Sequence, residues 1–445
     1  MTIGVARLRI LGISIGISIC LAPSHPWAGG FFVPQQTITG IGRAFAGDAA
    51  GIDDPSTIFS NPAGMTRLGD AQVSVGVSLI KPTISFKDNG SSAAMPGTLG
   101  LPVIYGGNNG GDPGSWTPVP NLYAAMPTSN KDLWFGIGVT APFGLGIEYD
   151  PGWFGRYDSI ETQLLTIDAA PSVAYKINNF ISVGAGLDLQ YANATLSNAL
   201  PDPLNPGGPT PATDGLVTLK ENGFAVGYNL GVLFQPTATT RVGLSYRSGI
   251  TQKLSGNATI QGLSGPLAGQ NGVFGVSTEL DLPAIASLAV SQKVTSKLTL
   301  LGEVQWFGWS TFQELRFQFD DGRPDVVLPQ NYRDSYTAAV GAEYKVTDDV
   351  TMRTGFQFDQ TPTVDSDRNT NLPDGNRYWI TLGANWRISD RSSLDAAYAH
   401  VFFENGDVNV TRTFYGGTPL ASTVNVNGQA QTSVDTVSLN FRYKF

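Results

Sequence analysis

The final residues of the chain, VDTVSLNFRYKF, alternate in character. Val437, Leu439, Phe441, Tyr443 and Phe445 form one series, and Thr436, Ser438, Asn440, Arg442 and Lys444 form the other. A period of two with unlike faces predicts a strand. The same alternation recurs upstream. Val73, Val75, Val77 and Leu79 interleave with Gln72, Ser74, Gly76 and Ser78, and Tyr378, Ile380, Leu382, Ala384 and Trp386 interleave with Trp379, Thr381, Gly383 and Asn385. Fourteen such segments are predicted, near 71–87, 118–127, 131–143, 162–176, 180–197, 221–235, 240–261, 273–293, 297–319, 331–346, 349–360, 376–388, 391–411 and 430–445. Short turns such as PTSN at 127, VTSK at 294 and VTDD at 346 alternate with long segments rich in Gly, Pro, Asn and Asp.

An even number of strands with all long loops on one side predicts an antiparallel meander. Closing it into a ring leaves no unpaired edge. Within lipid every backbone amide needs a partner inside the protein, and about 9–11 tilted residues suffice to cross. The apolar series carry Tyr, Trp and Phe near their ends, as an outward face at a membrane boundary would and a soluble sandwich or propeller would not. The expected fold class is all-β: a 14-stranded antiparallel transmembrane β-barrel, with short periplasmic turns and long outer loops. The expected localisation is the outer membrane of a Gram-negative bacterium. Trp306, Phe307 and Trp309 are expected in its aromatic girdle.

Two segments do not alternate. In residues 1–28, Arg7 and Arg9 precede the apolar run ILGISIGISICLA, and small residues follow up to Ala28. This predicts a signal peptide, too short in its apolar part to span a bilayer. Its removal takes the formal charge from −9 to −11 and takes away Cys20, the sole cysteine. With 14% charged residues and no basic cluster, nucleic acid is not an expected partner. Residues 29–70 are dominated by small residues, with short helices expected around 40–50 and 53–59 and with Asp53 or Asp54 before Pro55 as an N-cap. A fourteen-stranded ring, 71–445, leaves room for such a segment as a plug inside it.

The plug string GIGRAFAGDAAGIDDPSTIFSNPAGMTRL resembles the N-terminal hatch of the FadL family, outer-membrane transporters of long-chain fatty acids and hydrocarbons. APFGLGIEYD, WFGRYDSIETQLLTIDAAPSVAYKIN and FISVGAGLDLQYANATL extend the resemblance over nearly the whole mature chain. The terminal Phe445 is similar to the endings that barrel-assembly machinery reads, which makes that machinery an expected partner alongside outer-membrane lipid. The resemblance implies capture of a hydrophobic small molecule at outer loops, transfer to an apolar pocket and lateral exit where the third strand kinks inward. It implies pocket residues Gly29, Gly30 and Phe31 at the hatch N-terminus, and a gate of Asn61, Pro62 and Ala63 at the kink. Gly136, Gly138 and Pro142 would ease the kink. Trp153, Phe154, Arg156 and Tyr157 would form an outer-loop capture site. Gly42, Arg43, Asp53 and Asp54 are expected to hold the plug, Arg43 through an aspartate.

Long-chain fatty acids are the first expected substrate. One departure favours the alternative, neutral aromatic or aliphatic hydrocarbons: LQYANATL in the fifth strand has no Lys or Arg to meet a carboxylate, which leaves Lys220, Lys293 and Arg333 as the candidates to compensate. A general porin or an outer-membrane hydrolase ranks below both. Catalysis is not expected, because His400 falls in the outward series and a triad needs it inward. No metal-ligating spacing and no dinucleotide motif is present, so neither metal nor cofactor is expected. A monomer is expected.

Overall fold

The computed structural model describes residues 30–445. The expected signal peptide and Gly29 lie outside the described residues. Fourteen strands follow one another around a ring: β1 (Gln72–Asp88), β2 (Thr117–Pro127), β3 (Leu133–Thr140, resuming at Gly144–Glu148), β4 (Glu161–Lys176), β5 (Ile181–Leu200), β6 (Gly215–Phe234) and β7 (Thr240–Arg247 and Ile250–Gln261). Then come β8 (Gly272–Leu282 and Ile285–Lys293), β9 (Leu298–Phe307 and Glu314–Phe319), β10 (Val326–Pro329 and Ser335–Lys345), β11 (Val350–Asp359), β12 (Arg377–Arg387), β13 (Ser392–Phe403 and Gly406–Phe414) and β14 (Ser422–Lys444). Each pairs antiparallel with the next. The ring closes as β1 pairs β14 from Gln72↔Lys444 to Asp88↔Gly428, so neither the first nor the last strand is left as an edge.

The outward series is apolar, as the alternation predicted. Val75, Phe135, Phe224, Val226, Leu288, Val340, Leu382 and Leu439 are all exposed on the wall, which is the solvent-facing pattern only a lipid surround would favour. β6 and β14 start earlier than expected, at Gly215 and Ser422. There the outward series is no longer apolar. In β14 the alternation continues with its polarity inverted: Val424, Val426 and Ala430 are buried, and Thr423, Asn425 and Asn427 stand on the other face. The backbone ladder runs on, with β6 paired to β5 as far as Leu200↔Gly215.

Residues 30–71 precede the ring and pack within it. The helix expected at 40–50 is a single turn, α1 (Ile38–Ile41). Ala44, Phe45 and Gly47 all take positive φ, which ends the helix and coils the chain back on itself. The second helix is α2 (Thr57–Ser60), and a 3-10 helix, Pro62–Arg67, follows. Neither Asp53 nor Asp54 is the N-cap of α2: that position falls to Ser56, which makes no side-chain cap, and Asp54 instead accepts from the Ser56 amide at 2.8 Å. Inward glycines make room for this segment. A Cβ on Gly355 would lie 2.2 Å from the Arg43 backbone, and one on Gly243 only 1.7 Å from the Ala49 oxygen.

Candidate functional site: a breach in the wall below an apolar cavity

β3 is interrupted at Ala141, Pro142 and Phe143. Below the interruption β3 pairs β2, and that pairing ends at Leu122↔Val139. Above it β3 pairs β4 again, from Gly144↔Leu165 to Glu148↔Glu161. β2 meanwhile stays paired to β1 up to Thr117↔Ile80. The upper halves of β2 and β3 are therefore unpaired with each other, and the wall has a slit. Pro118 and Pro120 stand on that stretch of β2. Its other side carries a complete ladder with β1, so the prolines, which have no N–H to give, border the slit at no cost in hydrogen bonds.

The hatch supplies the bonds that β2 does not. The Val33 amide donates to the Pro142 oxygen at 2.8 Å and the Gly144 amide to the Phe31 oxygen at 2.9 Å. Phe32 and Phe143 form an antiparallel bridge. The Gln36 side chain donates to the Ala141 oxygen at 2.8 Å and accepts from the Ala141 amide at 3.1 Å. Its own backbone oxygen accepts from the Tyr123 hydroxyl of β2 at 2.9 Å. Gln36 thus touches both lips of the slit.

Pro142 lies in the interruption, as expected of a kink residue. Gly136 and Gly138 do not. They sit in the regular lower part of β3, where a Cβ on Gly136 would strike Ile58 and Met65 of the hatch at 2.6 Å. The bare Gly136 serves packing against the hatch, and the bare Gly138 makes room for the ring of Tyr123 on β2, 2.9 Å from where a Cβ would stand. The tripeptide Asn61-Pro62-Ala63 is also placed elsewhere than expected. Asn61 is fully buried and its amide donates to the oxygens of Ala49, Val232 and Leu244 at 2.7, 3.1 and 3.3 Å. The bare Gly184 and Gly231 make the space for the tripeptide against β5, β6 and β7. Phe31–Gln36 meets the slit in its stead.

Phe31 is also the floor of an apolar cavity, open in part to solvent, whose space for a water-sized sphere is about 80 Å³. Leu145, Leu164, Ala194, Leu196, Leu254, Leu280, Phe312, Leu315 and Phe317 line its walls, and Gln330, Tyr332, Asn369 and Leu372 come from the outer loops. No Lys, Arg or His lines it; the one charged type is Glu221. The three cations that could have compensated are elsewhere: Lys220 and Arg333 are exposed, and Lys293 lines a lower chamber. Phe307 and Trp309 are buried, against the expectation of a lipid-facing girdle. Trp309 packs edge-on to Phe31 with centroids 4.7 Å apart, and Phe307 lies 5.2 Å from Phe32. β9 breaks off after Phe307, and Trp309 keeps the inward phase of Leu301, Glu303 and Phe307.

Above the cavity the outer loops form a lid. Trp153, Phe154, Arg156 and Tyr157, expected as an exposed capture site, are all buried. Arg156 donates to Asp214 at 2.8 Å and to the oxygens of Gly106 and Trp153, while Tyr157 hydrogen-bonds Asp214 at 2.6 Å. Burial pushes the Asp214 carboxyl up, against the pull of those two donors. Trp153 stacks on Tyr149 at 3.8 Å. These residues make the core of the lid and offer no surface outward.

Below the hatch the surroundings are polar. Arg43 pairs Asp48 at 3.1 Å and Glu343 at 2.9 Å, and Arg353 continues the ladder to Glu343 at 3.1 Å and Asp395 at 2.7 Å. Gly42 lets this turn close onto the backbone of Gly383. Asp53 pairs Arg241 at 3.0 Å, and Asp54 accepts from Thr39 at 2.8 Å. A chamber with about 190 Å³ of space for a water-sized sphere is lined here by Arg43, Asp53, Asp54, Arg241, Lys293, Lys297, Glu343, Lys345 and Arg442 among others. His400 bonds Asp435 at 2.8 Å, on the outward series as expected. Among the described residues no cluster fit to hold a metal occurs.

A closed fourteen-stranded ring, apolar outside and stoppered within, is the architecture of an outer-membrane transport barrel. The chain belongs to the outer membrane protein transport family (OMPP1/FadL/TodX), whose model matches residues 19–445. It is 27% identical over 415 residues to the long-chain fatty acid transport protein of Escherichia coli O6:H1, covering 87% of this chain and 90% of that one. It is 27% identical over 459 residues to outer membrane protein P1 of Haemophilus influenzae, covering 97% and 98%. The crystal structure of a Pseudomonas aeruginosa FadL homologue superposes with a TM-score of 0.82 at 28% identity, covering 94% of this chain and all of that one. The Pseudomonas putida toluene transporter TodX shares the fold, with a TM-score of 0.64 at 17% identity over 95% of this chain and all of that one. The protein is an outer-membrane transporter of hydrophobic compounds in Gram-negative bacteria.

Proposed function

We propose that this chain imports long apolar solutes by collecting them in the cavity beneath the loop lid and releasing them sideways through the slit between β2 and β3. The observation that carries the reading is the position of Phe31. Its ring closes the floor of the cavity, and its backbone oxygen is bonded to the strand interruption. A small movement of Phe31–Gln36 would join the two. The direct route downward leads into a chamber walled by charges. An apolar solute gains about 0.8 kcal/mol per CH₂ by leaving water, so lipid at the slit is the favourable destination.

The names of the curated relatives support fatty acids as the solute. A specific observation favours uncharged hydrocarbons: the cavity offers a carboxylate no cation, and it contains Glu221. Of the two, the cavity supports the uncharged solute better. Growth of a deletion strain and its complemented parent on oleate, on an alkane and on toluene as sole carbon source tests this. Complementation on the alkane or toluene is expected; complementation on oleate alone would reverse the assignment.

A further inference from the structure

We infer that Glu221 makes the cavity selective for amphiphiles whose head group donates hydrogen bonds, long-chain alcohols or amines, and discriminates against carboxylates. The inference rests on the cavity being the transport site.

Glu221 stands on the inward series of β6 and is 2% exposed. One carboxyl oxygen accepts from the Thr278 hydroxyl at 3.1 Å. The other, Oε1, is buried and has no hydrogen-bond partner. Its cross-strand neighbours are Ala194 on β5 and Gly256 on β7. Neither can reach a carboxyl oxygen with a polar side chain; Gly256 is bare because the backbone of Lys220 and Glu221 packs against it. The residues sharing the cavity wall with it are mostly leucines and phenylalanines, and the cavity's remaining polar groups are amides, hydroxyls and the Tyr332 phenol.

A buried carboxyl oxygen left without a partner is costly, and native structures rarely tolerate one without a reason. In a transport cavity the missing donor can come from the cargo. A hydroxyl or ammonium group at one end of an alkyl chain would satisfy Oε1 while its tail packs on the leucines. A carboxylate head would set two anions side by side with no cation to separate them, which disfavours binding. A plain alkane would leave Oε1 as it is. The expected order is therefore alcohol or amine, then alkane, then carboxylate.

The test uses probes of equal chain length: dodecan-1-ol, dodecylamine, dodecane and dodecanoate, each radiolabelled. Uptake is measured in cells with an intact lipopolysaccharide layer, carrying the wild-type protein, Glu221→Gln or no copy, with barrel amounts matched by heat-modifiability on gels. The wild-type protein is expected to favour dodecan-1-ol or dodecylamine over dodecanoate at least about tenfold, the scale of one charge-assisted hydrogen bond. In Glu221→Gln, which keeps the shape and removes the charge, that ratio is expected to shrink at least about threefold. Dodecanoate entering as fast as the alcohol, or an unchanged ratio in Glu221→Gln while dodecane still enters, would overturn the selectivity and leave the transport reading standing. Uptake of every probe at the level of cells with no copy would overturn the transport reading, and the selectivity with it.

Discussion

Gln36 of the hatch and Ala141 of the third strand exchange two hydrogen bonds, side-chain amide to backbone amide, at the point where the barrel wall stops pairing. Both residues are buried. The glutamine does for Ala141 what a neighbouring strand would otherwise do, from a segment that is free to move without unzipping the barrel. This is the hydrogen-bond arithmetic a gate in a lipid-facing wall requires, since no water is at hand to satisfy an opened backbone.

Gln36→Leu removes both bonds and keeps the volume. It weakens the closed arrangement by about 1–3 kcal/mol, the cost of leaving buried partners unmade. The barrel ladder is untouched, so yield and heat-modifiability should match the wild type. Uptake of an apolar probe should rise, by about tenfold for each 1.4 kcal/mol taken from the closed state. Slower uptake at equal protein level would argue that Gln36 guides the solute and does not restrain the gate.

Asn61 anchors the hatch to the wall. Asn61→Ala strips a shared donor from three buried carbonyls and the acceptor for the Ala63 amide. A loss of roughly 2–4 kcal/mol in hatch docking is expected. Planar-bilayer recordings should show ion conductance absent from the wild type, while the barrel still resists unfolding in detergent until heated. A silent bilayer would mean that the rest of the hatch holds without this residue.

Arg156 is a support of the lid, fully buried beside Asp214. Arg156→Ala leaves the aspartate uncompensated, a change worth roughly 3–5 kcal/mol in buried pairs. Externally added protease should then nick the outer loops of intact cells, where the wild type resists. Arg156→Lys should rescue only partly, since one ammonium cannot reach the several acceptors that the guanidinium holds.

Asp48 makes hatch docking dependent on pH. Burial pushes its carboxyl up to about 6, over the opposing pull of Arg43 and the Thr37 hydroxyl. A carboxyl raised on folding stabilises the docked state fully below its ordinary value near 3.8 and loses that contribution as pH rises through about 6. Hydrogen exchange of amides 40–50, corrected for intrinsic rates, should therefore show firmer docking at pH 5 than at pH 7.5. Asp48→Asn should reduce the difference. It need not abolish it, because Glu303 is buried close by with the Ala49 amide as its donor.

The ring was legible because period two, repeated between turns of two sizes, survives in the sequence wherever one face meets lipid. β6 and β14 ran longer than expected because above the membrane the outward face no longer meets lipid: in β14 the polar residues turn outward and Val424, Val426 and Ala430 turn inward while the ladder persists. The gate was not legible in the same way. Phe31–Gln36 works through backbone atoms and one amide, which leave no periodicity, and Asn61-Pro62-Ala63 was the more conspicuous string. One signal was there: Pro118 and Pro120 inside a predicted strand mark an edge. Arg156 read as part of an outer-loop capture site because its partner Asp214 lies 58 residues on, brought near only by the folded hairpins. Trp309 read as girdle by residue type, although it shares the odd-numbered phase of the buried Leu301, Glu303 and Phe307, which marks the inward face.

The central claim is that apolar solutes leave through the slit that Phe31–Gln36 closes. Phe32 and Phe143 face each other there as a bridged pair, with rings 5.6 Å apart, and antiparallel partners lie within disulfide reach at about 4.5–5.5 Å between Cα atoms. The double variant Phe32→Cys/Phe143→Cys can therefore be locked by oxidation and released by reduction in one preparation. Uptake of a radiolabelled alkane should fall to the level of cells without the protein when oxidised and recover on reduction. Equal uptake by the locked and released forms would contradict lateral exit at this slit.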